Sequence, residues 1–291
     1  MKKTKIILVT GPTASGKSAL GEKLALENNG EIVSCDSMQI YRGLDIGTAK
    51  PTKEEQERVR YHMIDIVGVE EEYSCADFVR DAKIAIEDIA SRGKLPILCG
   101  GTGLYIENIL YPTDFSTAGS DEEYRRSLEV YTNHELFEML CKVDPESAAA
   151  NHENNRKRVA RALEIYHLTG IPKSQWDRQS RTRVSEYEAE HISLVASDRE
   201  YLYDRINRRV DLMISAGLVE EAKSIDFEKC KTAGQAIGYK ELRGYLEGEI
   251  SLEEAVENLK RSTRNYAKRQ LTWFSRYKNA EFIDICKKTV Q

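Results

Sequence analysis

The chain lacks long hydrophobic runs, paired cysteines and a surplus of positive charge. No apolar stretch approaches the ~18 residues that a membrane-spanning helix needs. Met1-Lys2-Lys3 leads directly into a short strand pattern, not into the apolar region and small-residue cleavage site of a signal peptide. The six cysteines (Cys35, Cys75, Cys99, Cys141, Cys230 and Cys286) are scattered, with no C-x-x-C pair. That spacing points to neither a zinc site nor a disulfide framework. Reduced thiols in a cytoplasmic protein are the expectation. Lys+Arg 43 against Asp+Glu 48 leaves a net charge of −5, which excludes a wholesale basic nucleic-acid binder and leaves room for a local basic face. A length of 291 residues accommodates one large domain or two moderate ones with ample core.

What the chain does have begins at its start. Ile6-Ile7-Leu8-Val9-Thr10 reads as a buried strand of parallel type. It runs into Gly11-Pro12-Thr13-Ala14-Ser15-Gly16-Lys17-Ser18, which fits G-x-x-x-x-G-K-[ST], the phosphate-cradling loop. The chemistry needs these types at this spacing. Glycines let successive N–H groups converge on phosphate oxygens, and the helix beyond adds its positive end. Lys17 is placed to bridge phosphates and the Ser18 hydroxyl to sit on Mg²⁺. Alone, the loop reads as nucleotide-binding, ATP included. Ser18 to Asn29 reads as the following helix, with Leu20, Leu24 and Ala25 on one face and Gly30 as its stop. A second buried strand, Glu31 to Cys35, ends at Asp36. In open α/β sheets the C-terminal strand ends share one rim, so Asp36 lies beside the phosphate loop.

The loop after Asp36 carries Ser37, Met38 and Gln39, then Asp45 to Thr52 with one cation, Lys50. Met63 to Val67 reads as a strand or extended segment. Ser74-x-x-Asp77 resembles a capping box for a helix ending at Gly93. Leu95 to Cys99 is another buried strand, and it ends in Gly100-Gly101-Thr102-Gly103. Here too an absence is informative. A nucleoside triphosphatase usually ends such a strand in an Asp that helps hold Mg²⁺, and this strand ends without a carboxylate. Asp36 therefore either serves the metal or has another task, such as taking a proton.

Near Pro112 the βα rhythm stops. Residues 113–190 read as a polar, helical insertion, with helices over Glu122 to Tyr131, His134 to Lys142 and Asn155 to Leu168. Between Asn151 and Arg183 the insertion is locally basic, with Arg156, Lys157, Arg158, Arg161, Lys173, Arg178, Arg181 and Arg183. This is either a solvated face or a phosphate-contacting lobe. The strand His191 to Ala196 returns to the core. A helix capped by Asp198 carries Arg205, Arg208 and Arg209, one of which could clamp a diphosphate. From Lys260 to Lys278 there is no Asp or Glu. Cations interleaved with Tyr266, Trp273, Phe274 and Tyr277 suit RNA, with charge for the backbone and rings for unstacked bases. The plainer alternative is a basic amphipathic helix with its rings in the core.

Together these stretches resemble the tRNA dimethylallyltransferases, also called tRNA isopentenyltransferases. The matching runs are Gly11 to Ser18, Asp36-Ser37-Met38-Gln39-Ile40-Tyr41, Asp45-Ile46-Gly47-Thr48-Ala49-Lys50-Pro51 and Gly100-Gly101-Thr102-Gly103-Leu104-Tyr105. They continue with Arg158-Val159-Ala160-Arg161-Ala162-Leu163-Glu164, Ala236-Ile237-Gly238-Tyr239-Lys240-Glu241 and Lys268-Arg269-Gln270-Leu271-Thr272-Trp273-Phe274. They follow the family's order and span nearly the whole chain. Without a cysteine pattern for a C-terminal zinc finger, the chain is similar to the compact bacterial type.

The resemblance implies an α/β fold: a P-loop parallel-sheet core (1–112 and 191–291) with a mostly helical inserted domain (113–190). It implies transfer of a dimethylallyl group from its diphosphate to N6 of adenosine 37 in the tRNA anticodon loop. The phosphate loop, Gly11 to Ser18, would then hold the donor's diphosphate with Mg²⁺ on Ser18. Arg205 would clamp the same group, Asp36 would accept the N6 proton, and Thr102 would line the channel beside the amine. Contacts to tRNA would come from Asp36, Ser37, Met38 and Gln39, from Lys157, Arg158 and Arg161, from Gly238, Tyr239 and Lys240, and from Lys268, Arg269, Gln270 and Trp273. The expected protein is a cytoplasmic monomer. Three rivals remain at this stage: a small-molecule kinase of the P-loop class, an adenylate isopentenyltransferase using free nucleotide, and an RNA-binding module without chemistry.

Overall fold

The structure, a computed structural model, describes residues 3–111, 119–181 and 184–287. The expected domain boundary at 112–113 lies outside the described residues, as do Arg183 and the side chain of Arg181. The chain divides into two compact units, Met1–Ile109 with Glu186–Gln291, and Leu110–Ser185.

The first unit is built on a sheet of six parallel strands in the order β3-β2-β4-β1-β5-β6. The strands are β1 (Thr4–Thr10), β2 (Gly30–Ser34), β3 (Tyr61–His62), β4 (Leu95–Gly100), β5 (Tyr187–Val195) and β6 (Glu281–Asp284). In its first half, helices α1 (Lys17–Glu27), α2 (Lys53–Arg58), α3 (Cys75–Ser91) and α4 (Gly103–Leu110) alternate with the strands. The central strands are apolar runs because both faces are covered. Ile7, Val9, Ile32, Ile97 and Ile192 form one cluster, and the Leu20, Leu24 face of α1 packs on it as the periodicity required.

Local departures from the sequence expectations have physical reasons. Gly30 does not stop α1. Asn29 takes the left-handed conformation at φ 50°, and Gly30 opens β2, where a Cβ would lie 2.7 Å from the Leu95 carbonyl oxygen. Met63 to Val67 is not a strand: Met63 and Asp65 have positive φ, and Val67 makes only an isolated bridge to Tyr41. The Ser74–Asp77 capping box is present in full.

The second unit is helical among its described residues, with α5 (Glu122–Ser127), α6 (Asn133–Val143), α7 (Pro145–Ala149), α8 (Arg156–Thr169) and α9 (Lys173–Arg181). Leu128, Leu136, Leu140, Val159 and Leu163 form its core. Glu164 is fully buried and accepts from the Asp121 N–H, Arg125 and Arg161. Burial would push its carboxyl upward, but Arg161, the Asp121 N–H and Arg125 hold it below its ordinary pKa. Arg156 donates to the carbonyls of Leu128 and Tyr131. Part of the basic stretch therefore holds the unit together, while Lys157 and Arg158 are exposed.

The second half of the sheet unit contributes α10 (Arg199–Ser215), α11 (Leu218–Lys223), α12 (Lys240–Leu246) and α13 (Leu252–Phe274). Asp198 caps α10 through the N–H groups of Glu200 and Tyr201.

Candidate active site at the phosphate loop

The site forms where β1, β2 and β4 end together. Thr10 pairs with Gly100, and Ser34 with Cys99, so the loops leaving these strands must emerge side by side. After β1 the chain turns through Gly11 to Gly16, which has φ 93°, a conformation that L side chains rarely adopt. Lys17 and Ser18 then open α1. After β2 come Asp36 to Gln39, and after β4 comes Thr102. Lys17, Ser18, Asp36, Ser37, Met38, Gln39, Arg209, Gly238 and Gln270 line one cavity of about 220 Å³. Apolar side chains also face it, among them Val210, Met213, Ile237 and Leu259.

Its electrostatics suit a polyanion. Burial, then the nearby Arg209, pushes the Lys17 ammonium below its ordinary pKa, with Cys99 and Asp36 opposing. Burial lowers Arg209 as well, with Asp36 opposing. Two crowded cations beside one carboxylate gain most from a ligand that brings negative charge and several acceptor oxygens. A second cleft carries this character outward past Lys17 and Ser18 to Arg205 and Arg208.

The side of the cavity that carries Asp36 is pre-set by hydrogen bonds. Asp36 Oδ1 accepts the Met38 N–H at 2.9 Å. Thr102 Oγ1 accepts the Ser37 N–H at 3.0 Å, which ties the turn after β4 to the loop after β2. Gln39 is occupied by its own chain: Oε1 accepts from Ser34, and Nε2 donates to the carbonyls of Thr48 and Ala49. Lys50, the loop cation, is also internal, paired with Asp45 and Asp65.

The remaining expected residues are placed as follows. Arg205 Nε donates to the Ala14 carbonyl at 2.8 Å and so props the phosphate loop. Tyr239 is fully buried and Lys240 exposed. Lys268 and Arg269 are exposed on α13, whereas Gln270 is only 4% exposed. Lys157, Arg158 and Arg161 belong to the other unit. The sequence reading named Arg209 among three candidate arginines and settled on Arg205, whereas Arg209 is the one that lines this cavity. The available signal was its spacing: Arg205 and Arg209, four apart, share a helix face, while Arg208 pairs with Asp204 in solvent.

The donor set also fits a hard divalent cation. A serine hydroxyl and one carboxylate on the same cavity, together with substrate phosphates, are the oxygen ligands that Mg²⁺ takes. Among the described residues no cluster of three or more His, Cys, Asp or Glu forms a metal cage. No helix among them is long and apolar enough to cross a membrane.

The chain is similar to known proteins over nearly its whole length. The IPP transferase family model matches residues 39–277. A tRNA dimethylallyltransferase of Caldanaerobacter subterraneus subsp. tengcongensis is 51% identical over 280 residues, covering 94% of this chain and 89% of the relative. The crystal structure of the full-length tRNA isopentenylpyrophosphate transferase of Bacillus halodurans is 46% identical, covering 97% of this chain and 90% of that one, with a TM-score of 0.72. A eukaryotic dimethylallyltransferase described as acting on tRNA is 32% identical, covering 97% of this chain and 74% of that one, with a TM-score of 0.83. The chain therefore belongs to the IPP transferase family, that of the tRNA dimethylallyltransferases.

Proposed function

We propose that the cavity divides the work of prenyl transfer between a diphosphate end and an acceptor end. The reaction moves a dimethylallyl group from dimethylallyl diphosphate to N6 of adenosine 37 in the tRNA anticodon loop. The bond between C1 of the prenyl group and the diphosphate oxygen breaks. A bond from N6 to C1 forms, and the N6 proton leaves. Lys17, Arg209 and the amides of the loop Gly11–Ser18 take the charge that builds on departing diphosphate. Arg205 keeps the loop in shape through Ala14. Asp36 accepts the proton, since the exocyclic amine is barely basic and needs a positioned carboxylate. Thr102 lines the channel beside that amine. A bound Mg²⁺, held by Ser18 and the diphosphate oxygens, would add charge neutralisation to the leaving group. Val210, Met213, Ile237 and Leu259 supply the apolar wall for the prenyl chain.

A stacked base cannot reach such a cavity, so adenosine 37 is extruded into it. The exposed cations Lys157, Arg158, Lys240, Lys268 and Arg269 grip the RNA while it turns. The chain acts as a monomer in the cytoplasm. The observation that carries this reading is the placement of Lys17, Arg209 and Asp36 on one cavity, together with β4 ending at Gly100 and not in the carboxylate that a phosphoanhydride hydrolase uses there.

The test is incubation with labelled dimethylallyl diphosphate, Mg²⁺ and either unmodified tRNA whose anticodon stem-loop bears A36-A37 or free AMP, with parallel incubations that add ATP. Label is expected in tRNA at adenosine 37. Label confined to AMP would turn the reading to the free-nucleotide enzyme, and phosphorylation from ATP without prenyl transfer would turn it to the kinase.

A further inference from the structure

Gln270 lies on α13 with its amide held at both ends. Its Oε1 accepts the Thr13 N–H at 2.8 Å, and its Nε2 donates to the Gly101 carbonyl at 3.0 Å. One partner is in the phosphate loop. The other is in the turn that carries Thr102, and Thr102 is in turn bonded to Ser37 beside Asp36. Tyr266 and Trp273, on the same helix face, press on the same turn. A Cβ at Gly101 would lie 2.0 Å from Gln270 Nε2, and one at Gly103 would lie 2.2 Å from Trp273 Cδ1. Gly101 and Gly103 thus let the helix descend fully onto the turn around Thr102.

We infer that Gln270 is a positioning residue that sets the span between the diphosphate-holding loop and the Asp36–Thr102 wall. The inference rests on the proposed division of the cavity into these two ends. A glutamine is needed because its planar amide offers one acceptor and one donor at that reach. Asparagine is a methylene too short. Glutamate keeps the acceptor for Thr13 and loses the donor for Gly101. Methionine keeps the volume and loses both. The reacting carbon is held from the loop side and the amine from the wall side, so a small change in span affects the rate more than the binding of either substrate. Displacements near 1 Å cost on the order of 10²-fold in rate.

The experiment measures prenyl transfer, tRNA binding and pyrophosphate binding for the full chain, Gln270→Met and Gln270→Glu. For Gln270→Met, kcat is expected to fall about 10²-fold, while both dissociation constants stay within about threefold of the parent. Gln270→Glu should be similarly slow at neutral pH and recover relative to the parent as pH falls, because a protonated carboxyl regains a donor for Gly101. Parent-like kcat in Gln270→Met overturns the inference. So does a loss confined to KM for tRNA, which would make Gln270 an RNA contact, or a Gln270→Glu deficit independent of pH. A parent chain that transfers no prenyl group to tRNA overturns the division of the cavity itself, and the positioning role with it.

Discussion

The Tyr239 hydroxyl donates to Glu221 at 2.6 Å, and that one carboxylate also accepts the N–H groups of Asp45, Ile46 and Gly47 at 2.9, 2.8 and 2.9 Å. Gly47, Thr48 and Ala49 wall the cavity, so Glu221 anchors a wall that it does not itself line. Tyr239→Phe removes one donor and should cost about 1 kcal/mol. Glu221→Ala leaves three amides and a phenol without their acceptor and should cost about 2–3 kcal/mol. Urea unfolding at constant slope measures both. Equal midpoints for the two variants would remove the carboxylate from this role.

Asp36 is assigned a chemical task rather than a binding one. Asp36→Asn preserves the acceptor oxygen for the Met38 N–H and cannot take a proton. A fall of about 10²–10⁴-fold in kcat is expected, the usual worth of a general base, with tRNA affinity unchanged. Near-parent turnover would show that the N6 proton leaves by another route.

Arg205 and Arg209 should separate in a pyrophosphate titration followed against pH. In the folded protein Lys17 has a lowered pKa, and Arg209 is its largest charged cause after burial. Diphosphate favours charged Lys17, so affinity is highest below the folded pKa and falls as pH rises through it. Arg209→Gln weakens binding overall and moves that alkaline fall to higher pH. Arg205→Gln leaves the fall in place, because Arg205 acts through the Ala14 carbonyl. A shared profile for the two variants would contradict the assignment.

The two cases differ in how plainly the sequence announced them. Lys17 and Ser18 were legible because a phosphate cradle imposes a local spacing, and Asp36 because strand ends share a rim. The anchoring roles of Glu221 and Gln270 were not, although the family resemblance named Gln270 as an RNA contact. Their partners lie 174 and 257 residues away along the chain, and nothing in local spacing marks such an acceptor. The α13 face shows the same limit. Its lack of acidic residues suggested an RNA-facing stretch. Amphipathicity then divides it, with Lys268 and Arg269 turned outward and Gln270 inward. Residue type alone could not assign the faces. Similarly, Met63 to Val67 has the composition of a strand, but its backbone is turned by positive φ at Met63 and Asp65.

His191 predicts an acid limb in stability that is independent of catalysis. It sits behind the phosphate loop on β5, with its Nε2 2.8 Å from Thr10 Oγ1 and its ring edge-on to Tyr277. Burial lowers its pKa from the ordinary 6.5 to about 4. The unfolded chain therefore takes up the proton first as pH falls, and stability drops between about 6.5 and about 4, then levels for this group. His191→Gln keeps a polar partner for Thr10 and cannot titrate. Its Tm should fall less across that window than the parent's. Parallel Tm curves would show that His191 does not contribute to the acid limb.

Lys268 tests the RNA-gripping face. It is exposed, and its Nζ lies 5.7 Å from the centre of the Tyr203 ring, a contact that orients the ammonium without neutralising it. A lysine that meets a phosphate contributes about one released counterion, so Lys268→Ala should weaken all tRNAs alike and flatten the slope of log K against log salt by about 1. Gln270→Met, two positions along the same helix but facing inward, should leave that slope unchanged. An unchanged slope in Lys268→Ala would place the outward face of α13 off the RNA and leave the grip to Lys157, Arg158 and Lys240.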